Sequence, residues 1–152
     1  MSFRAAPARF SSGRITVVPV YADAAANIEL PLSFQVNGPY NAGGSSQIEV
    51  MLERVTFNMI LKGAKLLIKG AGSSGTTEVD VQKSEDSGAT WTSVFSTKPS
   101  VAASAGSYAV SSNAVISGGT MSISNGTLLR LNITGVQSGS PDGFILQLLY
   151  GV

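Results

Sequence analysis

An all-β, antiparallel sandwich of the jelly-roll kind is the fold class this sequence predicts, on three observations. Apolar residues recur at every second position through most of the chain, the period of a strand with one buried face. Clusters of Gly, Asn, Asp and Ser interrupt those stretches, as tight turns require. No segment repeats apolar residues at helical spacing between capping residues. At 152 residues the chain is read as one domain, 1–152.

The elements follow in order. Arg14–Tyr21, rich in Ile and Val, is the first expected strand. Ile28, Leu30, Leu32, Phe34 and Val36 then share one phase against Glu29, Pro31, Ser33, Gln35 and Asn37. Pro31 cannot donate to a ladder, which puts this strand at a sheet edge or a bulge. Ile48, Val50 and Leu52 alternate with Gln47, Glu49, Met51 and Glu53. The next series, Val55, Phe57, Met59 and Leu61, runs in the opposite phase, so the chain must bulge or turn at Glu53-Arg54. Further strands are expected at Ala64–Lys69, Thr77–Lys83, Trp91–Phe95, Thr120–Ser124, Thr127–Thr134 and Phe144–Gly151. Turns at Asn37-Gly38-Pro39, Gly43-Gly44, Gly70–Gly75, Asp86–Gly88, Asn125-Gly126 and Ser140–Gly143 separate them. The Ala/Ser-rich stretch Pro99–Gly119 reads as a loop crossing the edge or top of the sandwich.

Composition narrows the chemistry. Neither cysteine nor histidine occurs. The ordinary ligands of zinc, copper and haem, the usual triad base and the thiol nucleophile are therefore missing, and no metal, cofactor or catalytic residue is expected. A serine nucleophile would need a lysine base here, and no S-x-x-K spacing occurs. The reading is of a binding or structural module, not an enzyme. Ten basic residues against nine acidic ones give no field to attract nucleic acid or an anionic membrane. Lys62, Lys65 and Lys69 read as a solvated strand face. No run of apolar residues is long enough for a helix to enter a bilayer. The opening MSFRAAPARF lacks the apolar centre of a signal peptide, as expected of a virion protein or of a piece of a longer chain. Charged residues make up 12% of the chain, about half the ~25% usual for soluble domains. So few charges imply that copies of the chain cover part of its outside.

Two local motifs invite chemistry and have structural explanations. Gly70-Ala71-Gly72-Ser73-Ser74-Gly75 matches G-x-G-x-x-G, but a dinucleotide site needs a helix next to hold the pyrophosphate. Thr76–Val81 is strand-like instead, so a hairpin loop is expected. Ser84-Glu85-Asp86-Ser87-Gly88-Ala89-Thr90-Trp91 matches the Asp-box, S-x-D-x-G-x-T-W, in which a carboxylate accepts backbone N–H groups and Trp packs under the turn. A structural hairpin is expected there rather than a calcium site, which would need six to eight oxygens. Asn125-Gly126-Thr127 and Asn132-Ile133-Thr134 match the glycosylation acceptor and are read as chance.

From Val55 onward, about two-thirds of the chain resembles a module of phage tail-fibre and bacterial fibre-tip proteins. The resemblance is one of order: Val55-Thr56-Phe57, then Ile68–Gly75, then Thr76-Thr77-Glu78-Val79-Asp80-Val81-Gln82-Lys83. Val94-Phe95-Ser96-Thr97-Lys98-Pro99 follows, then a polar crossing, then Gly126-Thr127-Leu128-Leu129-Arg130-Leu131-Asn132-Ile133-Thr134-Gly135 and Phe144–Tyr150. The resemblance implies a jelly roll of the tumour-necrosis-factor type, forming homotrimers at fibre ends, as in the mosaic adhesive trimers of predatory bacteria. It also makes residues 1–13 an extension leading in from a fibre shaft. The Asp-box replaces a short Asn-Gly turn of the usual pattern, and it is the loops of such tips that vary.

The expected function is thus a trimeric fibre-tip adhesion domain, on a phage virion or bacterial surface fibre, that binds a cell-surface ligand such as a glycan. A purely structural virion or tail component without a ligand is the alternative. Tyr40, Tyr108 and Trp91, in or beside loops, are the candidate ligand platforms, because an aromatic face stacks on a sugar ring. The last strand carries Phe144, Leu146, Leu148 and Tyr150 on one face and Ile145, Gln147 and Leu149 on the other. A sandwich hides one face of each sheet. A strand apolar on both faces therefore implies neighbouring copies, and Phe144, Leu146, Leu148 and Tyr150 are assigned to the trimer interface.

Overall fold

Period-two patterning becomes strands almost throughout the described residues, which in this computed structural model are 30–40 and 48–151. The long strands are β1 (Leu30–Pro39), β2 (Ile48–Arg54), β3 (Met59–Gly70) and β4 (Thr76–Ser84). Short ones follow: β5 (Thr92–Ser93), β6 (Phe95–Thr97), β7 (Ser100–Ala102), β8 (Val110–Ser111), β9 (Val115–Ile116) and β10 (Met121–Ile123). Two more long strands, β11 (Leu128–Gly135) and β12 (Asp142–Gly151), complete the fold. The expected strand Arg14–Tyr21, the 1–13 extension and the Gly43-Gly44 turn lie outside the described residues.

Among the described residues two large antiparallel sheets form, with a separate two-stranded ribbon of β6 and β9. Sheet A has the order β1-β12-β3-β10, with β8 also on β3; sheet B has the order β2-β11-β4-β5, with β7 also on β4. Pairing is nested: β1 with β12, β2 with β11, β3 with β10 and β4 with β5. The chain is thus one long hairpin folded over itself, crossing between sheets at most connections. Among the described residues β1 is an edge strand of sheet A, where Pro31 does no harm to a ladder.

The core lies between the sheets. Phe34, Leu61, Leu66, Ile68, Phe144, Leu146 and Leu148 from sheet A meet Val79, Val81, Leu129, Leu131 and Ile133 from sheet B, all buried. On β11 the inward phase is Leu129, Leu131 and Ile133, as the alternation predicts.

Three departures have physical reasons. Val55–Leu61 and Ala64–Lys69 are not separate strands. Met59–Gly70 runs continuously, and the phase is reset by one extra residue, Lys62, since Leu149 pairs with Gly63 and Tyr150 with Leu61. Val55 instead belongs to the turn before β3, its N–H donating to the Thr127 carbonyl at 2.9 Å. The stretch 99–119 does cross the sandwich edge, but as β7 on sheet B, a 3-10 turn at Ala103–Ala105, β8 on sheet A and β9 paired with β6.

The third correction concerns the interface. Phe144, Leu146 and Leu148 are fully buried within the single chain, so their side chains are used up by its own core. Tyr150 packs against that core at its end, its ring 5.7 Å from Phe57. The face of β12 left outside is Ile145, Gln147 and Leu149, all half-buried.

Candidate functional site

The Asp-box folds into a closed turn. Ser84 Oγ donates to Asp86 Oδ1 (2.7 Å), the Thr90 N–H donates to the same oxygen (2.9 Å), and the Thr90 hydroxyl takes Oδ2. The Gly88 N–H donates to Ser84 Oγ at 2.8 Å. These donors favour the charged carboxylate and hold its pKa down to about 2. Gly88 sits at φ +93°, and a Cβ there would lie 3.7 Å from the Trp91 ring. Both oxygens of Asp86 are engaged by the turn itself. Trp91, half-buried, lies under the guanidinium of Arg130, 4.2 Å from its ring centre, and Arg130 Nε donates to Gln82 Oε1 at 2.8 Å.

That contact opens onto a polar network across the outer face of sheet B. Ser93 Oγ donates to Asp80 Oδ1 (2.6 Å), and Thr134 Oγ1 donates to Glu78 Oε1 (2.7 Å). Lys98 Nζ lies 3.7 Å from Asp80 and 3.9 Å from Glu78. Asn132, in register with Asp80, is 2% exposed, and neither its amide nitrogen nor its oxygen has a hydrogen-bond partner among the described residues. Among the described residues no three His, Cys, Asp or Glu side chains meet as a metal centre requires.

The three expected aromatic platforms are not brought together. Tyr40 is 6% exposed, edge-on to Phe144 with ring centres 5.2 Å apart, and its hydroxyl shares a 3.1 Å hydrogen bond with Thr77. Burial raises its pKa, with the Thr77 bond opposing. In place it is a core residue. Thr77 is the second residue of β4, whereas the hairpin carrying Trp91 follows the other end of that strand, about 20 Å away. Tyr108 alone projects, 77% exposed, on the side crossing between the 3-10 turn and β8.

The G-x-G-x-x-G loop is a packing device. A Cβ on Gly72 would run into the Ser138 carbonyl oxygen, and the Gly72 N–H donates to Oε1 of the buried Gln137 at 2.6 Å. Gln137 Nε2 in turn donates to the Val101 carbonyl (2.9 Å), tying the loop to β7. The Ala71, Gly72 and Ser73 N–H groups all bond within the fold and are not offered to a pyrophosphate.

Sequence reasoning did not single out the outer face of sheet A. Ile145 pairs with Leu67, Gln147 with Lys65, Leu149 with Gly63, and Val110 of β8 with Leu67. Lys65, Leu67, Val110, Ile145 and Gln147 surround a hollow of about 100 Å³. Further along the same face, Ile60, 44% exposed and paired with Gly151, borders a groove of about 360 Å³. The signal for this face was the half-apolar phase Ile145/Leu149, whose role depends on which phase the core takes.

No protein-family model matches the chain, and no curated protein matches it. Among solved structures, the chain is similar to the capsid of Ralstonia phage GP4, with a TM-score of 0.53 and 15% identity, over 91% of this chain and 90% of that one. At that identity the likeness speaks for the fold.

Proposed function

We propose that this chain is a structural module of a phage particle, a jelly roll that assembles as a homotrimer through the outer face of sheet A. The observation that carries the phage setting is the likeness in fold, over nine-tenths of both chains, to a phage capsid structure. The nested pairing of β1 with β12, β2 with β11, β3 with β10 and β4 with β5 supports the jelly roll, tumour-necrosis-factor-like in its two four-strand paths. Ile60, Leu67, Val110, Ile145 and Leu149 support the assembly, because a sheet face open to water is normally polar. Cyclic threefold packing of that face would cover it and close the assembly. The reading involves no reaction. Light scattering of the full chain tests it: a mass near three chains is expected, with no monomer at micromolar concentration. A well-folded monomer at high concentration would overturn it.

A second reading, a fibre-tip adhesion domain for a cell-surface glycan, is favoured by one observation, the projecting ring of Tyr108. Binding of the isolated chain on a glycan array separates it from a purely structural role.

A further inference from the structure

The chain contains two Asn-Gly steps, Asn37-Gly38 and Asn125-Gly126, and the fold holds them differently. Asn125-Gly126 is pinned at both nitrogens. The Asn125 N–H donates to Asn58 Oδ1 (2.9 Å), and the Gly126 N–H donates to the Val55 carbonyl (2.8 Å). Asn37-Gly38 lies in a bulge of β1. Val36 pairs with Phe144 and Pro39 with Asp142, so neither Asn37 nor Gly38 has a partner in register. A Cβ on Gly38 would meet nothing within 4 Å, so the space around it is open.

The Asn37 side chain is held where its backbone is not. Its Oδ1 accepts from Lys69 Nζ (2.6 Å) and from Gln35 Nε2 (2.7 Å). Lys69 reaches it across β12 at Gly143, where a Cβ would stand 3.1 Å from Lys69 Cδ. No ion pair among the described residues engages Lys69, so its charge is directed at this oxygen. Two donors on one carbonyl oxygen, one of them cationic, draw electrons from Cγ and favour negative charge on that oxygen.

We propose that Asn37 is a self-modification site, converted to aspartate and isoaspartate through a succinimide formed with Gly38. The Gly38 nitrogen gives its proton to hydroxide and attacks Asn37 Cγ. A C–N bond forms, and Oδ1 takes the negative charge against Lys69 and Gln35. The Cγ–Nδ2 bond then breaks, Nδ2 takes a proton from water, and ammonia leaves. A further water opens the ring at either carbonyl, so an amide and water have become an acid and ammonia. Glycine at position 38 leaves the attacking nitrogen unshielded, and turning it toward Cγ breaks no pair in register. The product carboxylate stands beside Lys69 and replaces a hydrogen bond with an ion pair between β1 and β3. The inference is independent of both the trimer and the adhesion reading.

The test holds the folded full chain in warm, mildly alkaline buffer and follows both Asn-Gly steps by peptide mapping with mass spectrometry. Asn37 should convert at least about fivefold faster than Asn125, whose reaction must first break the Gly126 bond to Val55. In denaturant, where only the local sequence acts, the two rates should converge. Lys69→Met keeps the stem over Gly143 and removes the donor. It should slow Asn37 by about threefold or more and leave Asn125 unchanged, whereas Lys69→Arg should keep the rate. Circular dichroism establishes that each variant is folded. Should Lys69→Met not fold, Gln35→Met removes the other donor and should slow Asn37 in the same way. Conversion of Asn125 as fast as Asn37 in the folded chain, conversion of neither, or an Asn37 rate unmoved by loss of the donor overturns the proposal.

Discussion

The guanidinium of Arg130 lies 4.2 Å above the Trp91 ring and joins the Asp-box hairpin to the middle of sheet B. Trp91 precedes β5 and Arg130 belongs to β11, so the contact spans β4 between them. Because the indole is only half-buried, Trp91→Ala should cost about 2–3 kcal/mol, below the 3–5 typical of a fully buried aromatic. Chemical denaturation measures it. An unchanged midpoint together with lost sugar binding would make Trp91 a ligand platform instead.

Asp86 supplies a pH prediction. Its folded pKa, about 2, lies below the ordinary value of 3.8 because Thr90 and Ser84 donate to its carboxylate. A depressed folded pKa contributes stability above the unfolded pKa, and that contribution fades as pH falls from about 4 through 2. Asp86→Asn should therefore flatten the acid limb of the stability profile in that window. A carboxyl titration by carbon-13 NMR checks the cause directly, and a value at or above 3.8 would remove it.

Asn132 marks an unfavourable position. Both polar atoms of its side chain are buried without partners among the described residues, and an unsatisfied buried atom costs about 1–3 kcal/mol. Asn132→Leu keeps the volume, removes the orphaned groups, and should leave stability unchanged or raise it by about 1–3 kcal/mol. Thermal unfolding decides. A clear loss of stability would mean that the amide is satisfied in solution, by water or by a neighbouring chain.

These cases also mark how far the sequence can be read. Alternation placed β1, β4, β11 and β12 within a residue or two, because a period of two is a direct record of one face meeting a core. It does not say which phase of β12 is the core when both are apolar, and the phase buried within the chain is Phe144, Leu146 and Leu148. The Lys62 bulge was illegible because one extra residue looks like a break between two strands. Tyr40 was hidden for another reason: a loop tyrosine beside Gly and Pro looks exposed until Thr77 appears as its partner. Tyr108 was legible as a loop aromatic. Its positive φ was not, since turn chemistry announces glycine and asparagine at such positions.

The sharpest prediction sets two neighbours on β12 against each other. Leu146 is fully buried between the sheets, and Ile145 points to the outer face of sheet A beside Leu67 and Val110. Leu146→Ala should cost about 2–5 kcal/mol as a core cavity, and Leu146→Asp should prevent folding by placing an unpaired charge in a dry site. Ile145→Asp meets water as soon as neighbouring copies separate. It should therefore give a folded chain with a native β-sheet spectrum and a mass near one chain. Light scattering and circular dichroism on the two Asp variants decide between the faces. If Ile145→Asp keeps a mass near three chains, the outer face of sheet A is not where the copies meet, because three added carboxylates, even beside Lys65 of the same hollow, would have to give up their hydration in a closed threefold interface.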